Sequence, residues 1–218
     1  MTALSEDLKS YTAAAHQNAE ESSFVAELLA GRLGSRDVGR LLLQNLVIYR
    51  ALESALASAS DGRLRAFHDP ALERVPALER DLSVHFGRDW ESRPAVGDLH
   101  VTRAARAYAD ELTAAGGQAT AYLLAHHYVR YLGDLSGGQI ISTLVQRHYG
   151  MSPDGLSFYS FDGLGKLKTY KDAYRLRLDG LQLTPEERSD VLAHAFTAFE
   201  TNRRVFADLM ESKDDVHS

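Results

Sequence analysis

The chain has 218 residues and a net charge of −6, and it is 44% hydrophobic and 25% charged, the composition of a soluble globular protein with one sizeable core. It has no cysteine, so disulfides, thiolate metal sites and cysteine nucleophiles are excluded, and its acidic balance argues against nucleic-acid binding. Because the sequence shows no secretion signal and no stretch near the roughly 20 apolar residues of a membrane span, we expect a cytoplasmic protein without membrane contact.

Helical periodicity runs along almost the whole chain and begins in the first segment. Leu4, Leu8, Tyr11 and Ala15 are spaced 4, 3 and 4, which predicts one opening helix that buries these four side chains. A second helix is predicted over 35–60, where an Asp-Gly pair ends it. Its predicted buried face consists of Leu42, Leu46, Tyr49, Leu52 and Leu56.

Further helices are predicted beyond position 69. The pair Asp69-Pro70 is typical of an N-cap followed by proline at the first helical position, and Thr184-Pro185-Glu186-Glu187 is a capping box that opens the last helix. The predicted helices span 70–87, 95–115, 119–149, 166–178 and 185–210, with a loop over 151–165. We find no strand and no repeat, so residues 1–210 are predicted to form a single all-α domain and residues 211–218 a frayed C-terminal tail.

The opening helix carries a polar stripe. His16 follows Lys9 by seven residues, so the two lie on nearly the same line of a helix, about 10 Å apart along its axis. Glu20, four residues after His16, can reach the imidazole ring, and a carboxylate on one ring nitrogen leaves the other nitrogen for a metal. The alternative is a half-buried histidine beside a surface carboxylate.

The segment HHYVRYLGDLSGGQ, residues 126–139, contains three glycines within a predicted helix, and each costs about 1 kcal/mol relative to alanine. Gly133 and Gly137 are four residues apart, so one helix face has no side chain for a full turn. Either another helix packs closely there, or a flat ligand lies on the bare backbone. Asp134 follows Arg130 by four residues, which indicates either a surface ion pair or an acid that orders water above a ligand.

The predicted helix over 166–178 has a basic face. Lys168, Lys171 and Arg175 are spaced 3 and 4, which is typical either of a solvated surface or of an anion clamp. A histidine, a bare helix face and a basic edge together fit a metalloporphyrin with propionate groups.

The segment HHYVRYLGDLSGGQ also resembles the distal-helix signature of heme oxygenases. LKSYTAAAHQNAEESSF resembles the proximal helix of that family, IYRALESAL its second helix and TAFETNRRVFADL its last helix. The resemblance covers about residues 4–209 and, without a C-terminal hydrophobic anchor, is similar to the soluble bacterial members. It implies an all-α, single-domain helical bundle in which heme is sandwiched between a proximal and a distal helix.

The resemblance implies a role for each matching residue. His16 would be the proximal heme ligand and the only protein ligand of the metal, with Glu20 orienting it. Gly133 and Gly137 would lie over the distal heme face, and Asp134 would organise distal water. The other implied residues are Tyr49 and Arg130 in the catalytic network, Lys9, Tyr128, Lys171 and Arg175 at the propionates, Phe199 and Asn202 on the pocket wall, and Thr12 one turn before the ligand.

Two adjacent histidines precede the glycines. His126 and His127 are about 100° apart on a helix, so both cannot face heme. His127 occupies a position where we expect a smaller residue in the animal enzymes. We interpret both histidines as structural.

The activity implied by the resemblance is oxidative ring opening of heme to biliverdin, carbon monoxide and ferrous iron. Heme would be both substrate and oxygen-activating cofactor, O2 the oxidant, and a ferredoxin or reductase the electron donor. One alternative is a heme carrier or buffer without catalysis, which needs His16 but not Asp134. A thiamine-degrading enzyme or a di-iron oxidase of similar architecture is disfavoured, because the sequence has no cysteine nucleophile and no Glu-x-x-His pair.

Overall fold

The computed structural model describes residues 2–216, with side chains through Ser212, and within this range the chain forms eleven α-helices, one π-helical turn and no strand. The all-α prediction is therefore confirmed. The helices are α1 (Leu4–Tyr11), α2 (Ala13–Glu20), α3 (Ser23–Leu29), α4 (Ser35–Ala57), α5 (Gly62–Arg65), α6 (Val75–Phe86), α7 (Arg103–Ala115), α8 (Thr120–Gly133), α9 (Gln139–Tyr149), α10 (Leu167–Asp179) and α11 (Pro185–Val216). None of them is long and apolar enough, within the described part of the chain, to cross a bilayer.

Two long helices, α4 and α11, frame the centre of the molecule. All five apolar residues of the predicted α4 face are buried, and α4 packs against α6, α7 and α8. The predicted capping box opens α11: the Thr184 N–H donates to the Glu187 carboxylate at 2.8 Å, and the Glu187 N–H donates to the Thr184 hydroxyl at 3.2 Å. Because α11 packs against α8 and against α1, α2 and α3, it joins the N-terminal helices to α8.

The predicted opening helix is in fact two helices. The backbone leaves helical geometry at Thr12, with φ −94° and ψ 1°, and the Thr12 hydroxyl donates to the Leu8 carbonyl at 2.7 Å. Leu8 and Ala15 are buried as predicted, but Tyr11 is 54% exposed. The prediction for Tyr11 is wrong because Thr12 takes the inward position at the break, and the Tyr11 ring lies at the surface against Phe196.

Three other predicted helix ends differ from the structure. Asp69 caps only a 3-10 turn, and α6 begins at Val75, because Pro76 is tolerated in the first turn of a helix but not in its interior. The helix predicted over 95–115 begins at Arg103, where the Thr102 side chain accepts from the Ala105 N–H. The last helix continues past position 210 to Val216, and residues 217–218 of the predicted tail lie outside the described residues.

The predicted loop over 151–165 is held by two buried side chains. The Arg74 guanidinium donates to the carbonyls of Phe158 at 3.1 Å and Ser160 at 2.7 Å. The Asp81 carboxylate accepts from the N–H groups of Ser157 at 2.8 Å and Phe158 at 2.7 Å. These bonds fix the loop against α6 and the residue that precedes it.

Candidate functional site

The predicted helix over 119–149 contains a π-helical turn, Asp134–Gly138, between α8 and α9. Such turns are rare and occur frequently at functional sites. A Cβ atom added at Gly133 or Gly137 would meet no atom within 4 Å, whereas one at Gly138 would lie 3.2 Å from the Tyr159 ring. Packing of another helix therefore explains neither Gly133 nor Gly137, and the bare face opens onto space.

A hydrogen-bonded network lies beside this bare face. The buried Tyr49 hydroxyl, from α4, donates to Oδ2 of Asp134, and the Arg130 guanidinium stacks over the Tyr49 ring at 4.7 Å. Arg130 also donates to the side-chain oxygens of Asn202 at 2.9 Å and Asn45 at 2.7 Å. Tyr49 of α4 thus meets Asp134, and Asn202 of α11 joins the same network through Arg130 of α8.

Burial raises the pKa of Asp134 to about 6, although the Arg130 charge and the Tyr49 hydrogen bond both lower it. An unperturbed aspartate titrates near pH 4. Asp134 is therefore still mostly ionised at pH 7, but it titrates close to neutrality. Burial also raises the pKa of Tyr49 well above its usual value, so the phenol keeps its proton and donates.

His16 lies on α2 with 53% of its side chain exposed. Its Nδ1 is 3.6 Å from a Glu20 carboxylate oxygen, which is a contact rather than a hydrogen bond, and its ring meets the edge of Phe199 at 5.4 Å. With Glu20 on the Nδ1 side, Nε2 is the nitrogen that remains for a metal. No cluster of three or more His, Cys, Asp or Glu side chains among the described residues could hold a metal ion. A metal at His16 would thus have to bring further ligands of its own, as a porphyrin iron does.

One face of α11 joins the two halves of the site. Phe199 contacts the His16 ring, and Asn202, three residues later, accepts from Arg130. Residues three apart lie on the same side of a helix. Two residues one turn apart on α11 therefore contact the two halves of the site: Phe199 contacts His16, and Asn202 contacts the Asp134 network through Arg130.

The predicted basic residues divide into two groups. Lys171 of α10 reaches the π-helical turn, where its Nζ lies 3.1 Å from the Ser136 hydroxyl. Arg175 pairs with Asp172 at 3.2 Å, and its charge also acts on the partly buried Tyr128. Lys168, by contrast, is almost fully exposed, and it pairs with Asp172 on its own helix.

Two N-terminal candidates differ in their placement. Lys9 is exposed on the last turn of α1, and Ser5 ties α1 to α10 through hydrogen bonds of 2.8 and 2.9 Å to Asp179. Thr12 is only 3% exposed, and its hydroxyl already bonds the Leu8 carbonyl. The structure therefore leaves Lys9 accessible on a helix that contacts α10, but it does not bring Thr12 into the open space.

The family follows from comparison with known proteins. The family model described as Heme oxygenase matches residues 2–208, nearly the whole chain. A heme oxygenase of Takifugu rubripes is 35% identical over 211 residues, which cover 95% of this chain and 74% of the relative. The chain belongs to the heme oxygenase family.

Solved heme oxygenase structures share the fold. The crystal structure of heme oxygenase-1 from the cyanobacterium Synechocystis in complex with heme superposes with a TM-score of 0.90 at 28% identity, covering 99% of this chain and 96% of that one. Heme oxygenase from Leptospira interrogans gives a TM-score of 0.85 at 29% identity, covering 94% of this chain and 99% of the other. These likenesses confirm the predicted heme-oxygenase-like fold.

Sequence reasoning missed three residues of the site in this heme oxygenase. Asn45 lies one turn before Tyr49 on α4 and binds Arg130. Its position within an otherwise apolar stripe is the signal that could have revealed it. Ser136 faces Lys171, and the Tyr159 carbonyl accepts from the side-chain amide of Gln139, the residue after the glycines. Neither contact has a signal in the sequence.

The adjacent histidines, interpreted as structural, lie in the core and point in different directions. The Nδ1 of His126 is 2.6 Å from the Tyr108 hydroxyl of α7, and the Nδ1 of His127 is 2.7 Å from the Tyr174 hydroxyl of α10. Burial lowers the pKa of each histidine to about 3, so both rings are neutral at physiological pH. Neither belongs to the Asp134 network.

Proposed function

We propose that this chain cleaves heme oxidatively to biliverdin, carbon monoxide and ferrous iron, with heme bound between α2 and the bare face of Gly133 and Gly137. The observation that carries the proposal is that bare face, because the protein itself fills no space above it. Members of the heme oxygenase family degrade heme, and the residues at this site suit such a planar substrate. When bound, heme supplies the iron centre at which O2 is activated.

The chain's own residues hold heme on both sides. His16 is the proposed ligand, through Nε2, because Glu20 lies on the side of its other nitrogen. Phe199 packs against the His16 ring and limits its rotation. Lys171, Arg175 and Lys9 form the proposed propionate edge, with Tyr128 beside Arg175 as an additional hydroxyl donor. A propionate would compete with Ser136 for the Lys171 ammonium.

Asp134 is the proposed centre of proton delivery. Tyr49 occupies Oδ2 of Asp134, which leaves Oδ1 as the oxygen that can hold a water beside the glycines. Arg130 is fixed by Asn45 and Asn202, so the positive charge that acts on the Asp134 carboxylate stays in one place. At neutral pH the ionised Asp134 orients this water and does not itself donate the proton.

The oxygenase is favoured over a carrier because a carrier needs His16 but gains nothing from a buried carboxylate that is costly to ionise. A cytoplasmic location and a ferredoxin or reductase as the electron donor belong to this proposal. Fractionation of cells tests the first, and reconstitution of turnover with purified donors tests the second.

The direct test is an optical spectrum of the purified heme complex before and after ascorbate is added in air. We expect the heme absorption to be replaced by that of biliverdin, with carbon monoxide released. A heme spectrum that persists through prolonged exposure to reductant and O2 would identify a carrier. Asp134→Ala is the matched control, because it should retain heme while forming little biliverdin.

A further inference from the structure

His127 is a polar group in the core that the proposed chemistry does not use. It is 2% exposed and stacks on Tyr174 of α10, with the two rings 9° from parallel and their centroids 5.6 Å apart. Its Nδ1 lies 2.7 Å from the Tyr174 hydroxyl. The edge of Phe67 packs against both rings, at 5.8 and 5.2 Å. The pair therefore forms a closed, buried contact between α8 and α10.

The direction of this hydrogen bond is fixed by its surroundings. The other nitrogen of His127 bonds the Phe67 backbone, and burial keeps the ring neutral by lowering its pKa to about 3. Burial also raises the pKa of Tyr174 well above its usual value, so the phenol keeps its proton. A neutral imidazole that donates to the backbone with Nε2 has only Nδ1 left as acceptor. The Tyr174 O–H therefore donates to His127.

Tyr174 also lies next to the residues proposed to hold the heme propionates. Lys171 precedes it by one helical turn and contacts Ser136 of the π-helical turn, and Arg175 follows it directly. The Lys171 contact is exposed, so a ligand carboxylate competes with it. The His127 bond is dry and has no such competitor. Tyr170 and Asp179 tie α10 to Asp69 and to α1, and Tyr174 is its buried contact with α8, so the position of the basic edge relative to the bare glycine face depends in part on how Tyr174 docks.

We propose that the His127–Tyr174 hydrogen bond sets the register of α10 on α8 and, through Lys171 and Arg175, the in-plane orientation of bound heme. This inference rests on the proposed function, and it makes His127 a positioning residue rather than a catalytic one. Two apolar rings would bury the same surface, but they could slide over each other. A directional hydrogen bond between them permits one register only.

The chain provides a matched control. His126, the preceding residue, forms the same kind of bond with Tyr108 at 2.6 Å, and the two residues that share this bond are both buried. Tyr108 lies on α7, which carries none of the proposed propionate-binding residues. Tyr108→Phe therefore removes the same chemistry from the same helix without freeing α10.

The test compares Tyr174→Phe, His127→Phe, their double variant and Tyr108→Phe as full-length ferric heme complexes. Proton NMR of the heme methyl groups gives the ratio of in-plane orientations without turnover, and product analysis gives the ratio of biliverdin isomers. We expect Tyr174→Phe to change the orientation ratio about fivefold, which corresponds to about 1 kcal/mol. The double variant should change it no more than the larger single change, because both substitutions remove one bond. Tyr108→Phe should leave it within about twofold of the parent.

An orientation ratio in Tyr174→Phe equal to that of the parent overturns the inference. Equal changes in Tyr174→Phe and Tyr108→Phe also overturn it, since they would reflect general loosening of the core. If His127→Phe fails to fold, Tyr174→Phe, which loses one hydroxyl group only, still decides the question. A parent that binds heme in one orientation but forms no biliverdin refutes the proposed function and leaves the NMR test of this inference intact.

Discussion

Gly133→Ala should stabilise the protein and damage its function. The new Cβ would meet no protein atom within 4 Å, and the backbone at Gly133, with φ −59° and ψ −51°, is ordinary for alanine. Alanine is favoured over glycine in a helix by about 1 kcal/mol, partly because it restricts the unfolded chain. The free energy of unfolding of the heme-free protein should therefore rise by about 0.5–1 kcal/mol, which raises Tm by roughly 1–4 °C for a chain of this size.

The same methyl group occupies the space in which we propose that heme lies. Overpacking a fitted contact costs about 1–3 kcal/mol, so the Kd for heme should rise roughly fivefold to 150-fold. Urea and thermal unfolding of the heme-free protein measure the first effect, and absorbance titration with heme measures the second. Gly138→Ala is the control, because its Cβ would press on Tyr159 at 3.2 Å and should bring little or no gain in stability. A clear loss of stability in Gly133→Ala, or unchanged heme binding, would refute the assignment of the bare face.

Three further predictions concern the other parts of the site. His16→Ala should bind heme loosely and lose turnover until imidazole is supplied; an unchanged ligand spectrum would rule out His16 as the ligand. Because folding raises the pKa of Asp134 to about 6, the stability that this group contributes is complete below about pH 4 and is lost as the pH rises through 6. The heme-free Asp134→Asn variant, which does not titrate, should therefore gain stability relative to the parent across that pH range. Turnover should fall below pH 6 in the parent and not in the variant. Replacing Lys171 and Arg175 together should alter the biliverdin isomer mixture more than the Kd for heme, because exposed charge pairs contribute about 1 kcal/mol or less; the opposite result would make them affinity residues.

Much of the fold follows from local signals. The apolar period identified α4 and its buried face, and the capping box at Thr184 identified the start of α11. Errors arose where two local signals competed. The apolar period that includes Tyr11 predicts one continuous helix, but the helix is broken at Thr12. The cap at Asp69 predicts a helix from position 70, but the proline at 76 requires α6 to begin at Val75.

The site was predictable where one segment carries it and less so where the chain folds back on itself. The spacing of Gly133 and Gly137 indicated a bare face, but only the structure shows that nothing packs on it. The ordinary pKa of an aspartate, near 4, gives no sign that burial brings the pKa of Asp134 close to neutrality. The groups that lower this pKa, Arg130 and Tyr49, lie on different helices. The role of Asn45 is likewise visible only once α4 and α8 are packed together.

The most direct test of the account is a crystal structure of the chain with heme bound. We predict that the iron is ligated by Nε2 of His16 alone among protein atoms, with the porphyrin lying against Gly133 and Gly137 and its propionates toward Lys171 and Arg175. Heme bound elsewhere, or iron ligated by another side chain while the glycine face stays uncovered, would contradict it.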